Sequence, residues 1–280
     1  MMIADNQTTF LYLADTLEKN YPGFFARFVK TLAELKIPFD ILPGTKDVWV
    51  VDYMPIQIEK DKLVQFVYNP DYLRDSIIWL KTISDVDGIC AAKGFQPRKS
   101  PIVLDGGNVT RTADKVIMCD KIFTENPEYP EKDLIKELKE LFEVDHLFFI
   151  PTHPIDFTGH ADGMVRFYDK DTVLINDYSK EKPEFQRRFR LALHNAGLKC
   201  VEIPYNPYGN KTNMHANGEY INFLQMKQGI VLPVFGMAED DKVFRQFEQL
   251  YPGVSITTVD SNEPAYDGGI LNCITWNILK

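Results

Sequence analysis

One recurring unit limits the possible folds more than any other feature: strand, turn, strand, helix, strand, repeated four or five times at loosely equal intervals. It is clearest in the second half. HLFFIP reads as a strand, and GMVRFYDKDTVLINDY as two strands around a Lys-Asp turn. EFQRRFRLALHNAG reads as a helix closed by Gly197, and LKCVEIPY as the returning strand. The pattern then resumes. YINFLQMKQGIVLPVFG gives two strands turning near Lys227–Gly229, DDKVFRQFEQLYPG a helix, VSITTVD a strand, and GGILNCITWNIL a last strand. The first half gives a helix over Thr8–Leu35 interrupted at Tyr21–Gly23, and strands at Val48–Ile58 and Leu63–Tyr68. A helix over Tyr72–Ile83, short strands at Ile102–Leu104 and Val116–Cys119, and an amphipathic helix over Glu131–Phe142 follow. The units share little sequence, so the repeat is one of structure and not of a copied motif. No GxGxxG follows a strand, which sets aside a dinucleotide-binding fold. No low-complexity linker divides the chain, so residues 1–280 are expected to form one α/β domain with cyclic pseudo-symmetry. A chain of this length buries enough apolar surface to need no disulfide or metal as a staple.

Charge narrows the partners. Forty acidic residues against 31 Lys and Arg give a formal net charge of -9. Nucleic acid is therefore not the expected partner, because phosphate binding needs a basic surface. An acidic field favours a cationic small molecule. Cys90, Cys119, Cys200 and Cys273 are widely spaced with no CxxC pair, which fits reduced thiols in the cytoplasm. The first residues lack a basic stretch followed by an apolar run, and no segment approaches the roughly 18 apolar residues of a membrane span.

Four stretches carry side chains suited to chemistry: Trp49-Val-Val-Asp52, Asp105-Gly-Gly-Asn108, Gly159-His-Ala-Asp-Gly163 and Gly268-Gly-Ile-Leu-Asn-Cys273. Each has an ordinary explanation. Strand-end aspartates cap turns, a His-x-Asp pair is commonly a local hydrogen bond, and a cysteine near an apolar strand is commonly core. Together they suggest more. A cysteine and a histidine distant in sequence can serve as nucleophile and acid/base. Paired carboxylates can grip the flat fork of a guanidinium. A metal site built on His153, His160 and Asp162 fits no common zinc spacing, so neither metal nor organic cofactor is expected.

In this order (acid, acid-Gly-Gly, His-x-Asp, Cys) the chain resembles the guanidine-modifying enzyme superfamily. The likeness is to its branch of agmatine deiminases and bacterial peptidylarginine deiminases, and it runs from Trp49 to Cys273. GHADGMVRF, and the run from Tyr220-Ile-Asn-Phe through GIVLPVFG and YPG to GGILNCIT, carry the resemblance most specifically. It implies a five-bladed α/β propeller (the pentein fold) with its site on the pseudo-symmetry axis. It implies Cys273 as nucleophile, His160 as general acid/base and Asp105 as the acid that orients His160. Asp52 and Asp162 would hold the guanidinium, with Trp49 beside them. Asp105 stands where these deiminases usually carry Glu, Val51 where agmatine deiminases carry Arg, Met54 where they carry Gly, and Asn272 where the branch carries His.

The implied reaction is deimination of an agmatine-like or arginine-like guanidine to a ureido product and ammonia, through a covalent thiouronium. Peptidyl arginine is the larger substrate of the same chemistry. The implied alternatives are an amidinotransferase on the same scaffold and a non-catalytic binding protein of the same fold. Self-association is left open.

Overall fold

The computed structural model describes residues 2–74 and 76–280, and within them five three-stranded sheets surround a common centre. Their strands in chain order are β1 (Phe10–Ala14), β2 (Phe39–Leu42), β3 (Ile56–Glu59), β4 (Lys62–Val67) and β5 (Arg98–Val103). Then come β6 (Thr110–Arg111), β7 (Lys115–Cys119), β8 (His146–Ile150), β9 (Val165–Phe167) and β10 (Thr172–Asn176). The last are β11 (Lys199–Ile203), β12 (Leu224–Met226), β13 (Gly229–Val234), β14 (Ile256–Asp260) and β15 (Trp276–Ile278). Four sheets use consecutive strands in the same way. The first strand is antiparallel to the second, and the third is parallel to it after a helical crossover. In the fifth sheet β1 is central, β2 is its parallel neighbour, and the antiparallel strand is β15, registered as Leu11↔Asn277 and Tyr12↔Trp276. The last strand of the chain thus completes the first blade. This is the cyclic α/β arrangement expected from the repeat, and the five-bladed α/β propeller that the resemblance implies.

The central strands are covered on both faces, which explains their uninterrupted apolar runs. Val116, Ile117, Met118 and Cys119 of β7 are fully buried, as are Ile230 and Val231 of β13. The crossover helices supply the outer cover. In Glu131–Phe142, Leu134, Leu138, Leu141 and Phe142 recur at helical spacing and are buried. Each such side chain contributes roughly 1.5–3 kcal/mol of burial.

Several elements differ from the sequence expectation. Thr8–Leu35 is not one interrupted helix: its first part is β1, followed by helices Thr16–Asn20 and Pro22–Glu34. A short strand buried on both faces is as apolar as a buried helix, so periodicity cannot separate them. Tyr72–Ile83 divides into two turns of helix, Asp71–Arg74 and Ile77–Leu80, because Ser76 accepts from the Trp79 N–H and starts a new helix. Helix Val86–Lys93, capped by Asp85 and closed by Gly94 at φ 77°, escapes the sequence reading. Three expected strands are too long, and all in the same place. Val50–Tyr53 is a helical turn, with the strand beginning only at Ile56 beyond Pro55. Residues 220–223 are turns before β12. Residues 270–275 coil before β15, with Ile274 N–H bonding Ile270 O and Thr275 N–H bonding Asn272 O.

These misread segments meet at the centre. The turn before the first strand of each blade touches the corresponding turn of the next. Gly107 N–H donates to Asp52 Oδ1 at 3.1 Å, and His160 Nε2 lies 3.0 Å from Asp105 Oδ2. Asn222 Nδ2 donates to Asp162 Oδ2 at 3.0 Å, Asn272 N–H donates to Asn222 Oδ1 at 3.0 Å, and Val51 N–H donates to Cys273 O at 3.4 Å. The five contacts close a ring.

Candidate active site

Every acid, histidine and cysteine of the four stretches named in the sequence lies on this ring. Asp52 comes from the turn before β3, Asp105 from the turn before β6, and His160 and Asp162 from the turn before β9. Cys273 comes from the coil before β15. Asp52, His160, Asp162, Cys273 and Trp49 line one cavity of about 570 Å³, and Asp105 stands behind His160.

Two glycines let the parts approach. A Cβ on Gly107 would lie 2.6 Å from Asp52 Oδ1 and 2.7 Å from His160 Nδ1, inside van der Waals contact with both. A Cβ on Gly269 would collide with the indole ring of Trp49, so this glycine lets Trp49 form a wall of the cavity. The Gly-Gly pairs of the sequence are therefore needed for close packing as well as for turning.

His160 is held from two sides. Its Nε2 faces Asp105 Oδ2, and its Nδ1 is 3.6 Å from Asp52 Oδ1. Burial works against a charged imidazole, but Asp52, the hydrogen bond with Asp105 and the more distant Asp162 outweigh it and raise His160 to about 10. Burial also raises Asp52, to about 8; His160 opposes this shift, while Asp105 and Asp162 add to it. Asp162 is raised by burial against the pull of His160 and of Asn272. Burial, then Asp162 and Asp52, push the Cys273 thiol well above its usual range. Burial thus favours the protonated forms of Asp52, Asp162 and Cys273. A bound cation supplies the missing neutralisation and favours the ionised forms of both acids and the thiol.

Sequence reasoning did not single out Asn222. Its carboxamide is the hub beside the thiol. Oδ1 accepts the N–H groups of Asn272 and Cys273, while Nδ2 donates to Asp162 and lies 3.3 Å from Cys273 Sγ. Asn272 Nδ2 reaches the same Asp162 oxygen at 2.7 Å. All the hydrogen bonds Asp162 accepts among the described residues fall on Oδ2, which leaves Oδ1 for a ligand. The only sequence signal for Asn222 was its place in the Tyr220-Ile-Asn-Phe run.

His153 also borders the cavity but is buried between Tyr178 and Phe185, with Glu181 at 3.7 Å. Among the described residues no three His, Cys, Asp or Glu side chains are grouped to hold a metal ion. All four cysteines are free: Cys90 and Cys119 are buried, Cys200 is exposed and Cys273 is half-buried. No helix among the described residues is long and apolar enough to cross a membrane.

Comparison with known proteins places this geometry in context. The model of a family described as Porphyromonas-type peptidyl-arginine deiminase matches residues 4–278. A Legionella pneumophila protein described as "Putative agmatine deiminase" is 25% identical over 63% of this chain, and the match spans 55% of that protein. The protein of the same description from Shewanella baltica is 22% identical, over 97% of this chain and 85% of its own length. Among solved structures, the C. jejuni agmatine deiminase superposes with a TM-score of 0.81 at 18% identity, covering 100% of this chain and 96% of that one.

Proposed function

Because the chain belongs to the Porphyromonas-type peptidyl-arginine deiminase family, we propose that it hydrolyses a guanidino carbon–nitrogen bond, releasing ammonia and a ureido product. What supports this reading is the ring itself: a thiol, an imidazole and two buried carboxylates converge on one cavity.

Asp52 and Asp162 bind and orient the planar cation, and Trp49 walls it in. The cation lowers the thiol, its proton passes to solvent, and Cys273 Sγ attacks the central carbon as thiolate. The resulting tetrahedral adduct expels one nitrogen, which leaves as ammonia after taking a proton from His160 Nδ1–H. A thiouronium remains on Cys273. Neutral His160 then accepts a proton from water as the oxygen attacks the same carbon. The carbon–sulfur bond breaks, the thiol is restored, and the substrate has exchanged one nitrogen for oxygen. Asp105 holds the imidazole in the required orientation through its other nitrogen. The free thiols suit a reducing, cytoplasmic setting.

The lining also informs the substrate. Among the described residues, Asp47, Asp156, Glu219 and Asp267 border the cavity against a single lysine, Lys211, although burial raises Asp47 and pushes Glu219 well above the usual carboxyl range. Lys99 pairs with Asp87, and Arg111 is committed to Asp5 and the carbonyl of Ile3. An arginine carboxylate would meet mostly negative charge, whereas a second cationic group would be welcomed. Product analysis by mass spectrometry is expected to show ureido product and ammonia from agmatine at least about tenfold more efficiently than from free arginine. An arginine peptide in the same panel tests for a larger substrate. A guanidine transferred to an added amine would instead identify an amidinotransferase, and no turnover of any member would leave only binding.

The thiol's resting state gives a second test. A neutral haloacetamide should alkylate Cys273 slowly at neutral pH and faster as pH rises, because the thiol must first ionise. A cationic haloacetamidine brings its own charge to the carboxylates. The ratio of the two rates is therefore expected to be at least about tenfold larger at Cys273 than at exposed Cys200, read by peptide mapping. Equal ratios at both cysteines would count against a cation-assisted thiolate.

A further inference from the structure

The carboxylate of Asp105 makes only two hydrogen bonds among the described residues, and both fall on one oxygen. Oδ2 receives His160 Nε2 at 3.0 Å and the hydroxyl of Tyr72 at 3.0 Å, while Oδ1 is buried without a partner. A carboxylate tied through a single atom is free to rotate about that atom unless both donors are fixed. His160 is the group Asp105 is meant to orient, so its other donor must supply the fixed point.

Tyr72 is built for that. Its ring packs edge-on against Phe157 at 5.6 Å and against His160 at 6.3 Å. Lys121 Nζ sits 4.7 Å from the ring centre, pairs with the adjacent Asp71 at 2.8 Å and donates to Thr158 O at 2.7 Å. Lys121 therefore fastens the short helix carrying Tyr72 to the loop carrying His160. Burial, then the charge of Asp105, push the Tyr72 hydroxyl well above its usual range, so it stays protonated and donates. The side chain also borders the cavity, where it could have been no more than a wall.

We infer that Tyr72 is a positioning residue, which fixes Asp105 and through it the imidazole of His160. The inference rests on the deiminase reading for its kinetic consequence, but its structural content does not.

Tyr72→Phe keeps the ring contacts and removes only the hydroxyl. On a guanidine substrate kcat is expected to fall about tenfold, with KM within about twofold, because the lost contact is to the acid/base and not to the substrate. In an Asp105→Asn background the same change should cost less than about twofold, since the route from Tyr72 to His160 is already cut. An undiminished cost in that background, or a rise in KM with kcat unchanged, would make Tyr72 a wall of the cavity and overturn the inference. A substrate-free measurement separates this from failure of the functional reading. In nitrogen NMR of the free protein, the His160 Nε2 resonance should move in Tyr72→Phe and not move further when Tyr72→Phe is added to Asp105→Asn. An Nε2 resonance unmoved by Tyr72→Phe would end the inference whatever the enzyme turns over. If the resonance moves but no guanidine reacts, the positioning stands and the reaction is wrong.

Discussion

Cys273→Ala is expected to abolish turnover, with kcat falling at least about 10⁴-fold, as removal of a covalent nucleophile does elsewhere. The size follows from the reaction: the remaining groups can bind and polarise a guanidine, but water must then attack a strongly delocalised cation with no covalent intermediate. The fold should tolerate the change. Cys273 is only half-buried, and its thiol contacts are to Asp162 and Asn222, which keep each other and Asn272 as partners. Substrate should therefore still raise the melting temperature of the variant. Mass spectrometry of the wild type quenched during turnover should find the thiouronium on the peptide containing residue 273. Residual activity within tenfold of wild type, or an adduct on another residue, would refute the assignment.

The second large effect concerns the two carboxylates. Asp162→Asn is expected to lower kcat/KM by at least about 100-fold and Asp52→Asn by at least about tenfold, since a charge-assisted hydrogen bond contributes about 1.5–3 kcal/mol and 1.36 kcal/mol is a factor of ten. Asp162 is ranked higher for a geometric reason. Its Oδ2 is held by two amide donors, so an asparagine there keeps its oxygen on those donors and must turn its own NH₂ toward the cation. Asp52 retains the Gly107 N–H in either form. The exposed Asp61→Asn serves as control and should stay within twofold.

Asp52 adds a pH signature. Its carboxyl is raised to about 8 in the free protein, and a cation binds the ionised form better, so kcat/KM should rise between about pH 6 and pH 8 as the proton leaves. Asp52→Asn should flatten that rise. If Asp52→Asn matched the control while Asp162→Asn was inactive, the second contact to the guanidine would have to come from another acid.

How legible this was in the sequence depends on where one looks. The blades were readable because each central strand is a short apolar run bounded by turn residues, and each crossover helix shows an apolar stripe. Glu131–Phe142 and β13 are examples. The axis was misread in one consistent way. Residues 48–53, 220–223 and 270–274 are as apolar as strands, yet they are turns. They are buried because five blades enclose them, and burial by enclosure leaves the same mark in sequence as burial in a sheet. The charged and thiol members of the site stood out because an acid, a histidine or a cysteine is unusual within such apolar runs, and three of the four stretches also carry glycines. Asn222 and Tyr72 did not. An asparagine and a tyrosine near apolar residues have many ordinary uses, and only the atoms they touch, Cys273 Sγ and Asp105 Oδ2, distinguish these two.

The closed ring of turns has a consequence for folding. No blade contains the site, and no two blades do; each contributes one arc, and the arc bearing Cys273 is set only when β15 pairs with β1 from the opposite end of the chain. A partly folded molecule can own a finished core in several blades and still have no place for the thiol. Activity should therefore be the last property to return on refolding, trailing secondary structure and core fluorescence and arriving together with protection of the β1–β15 amides. Conversely, local loosening at any one of the five turns silences the whole centre. The carboxylates and the imidazole that prepare the thiol for a cation thus come together only in molecules whose assembly is complete.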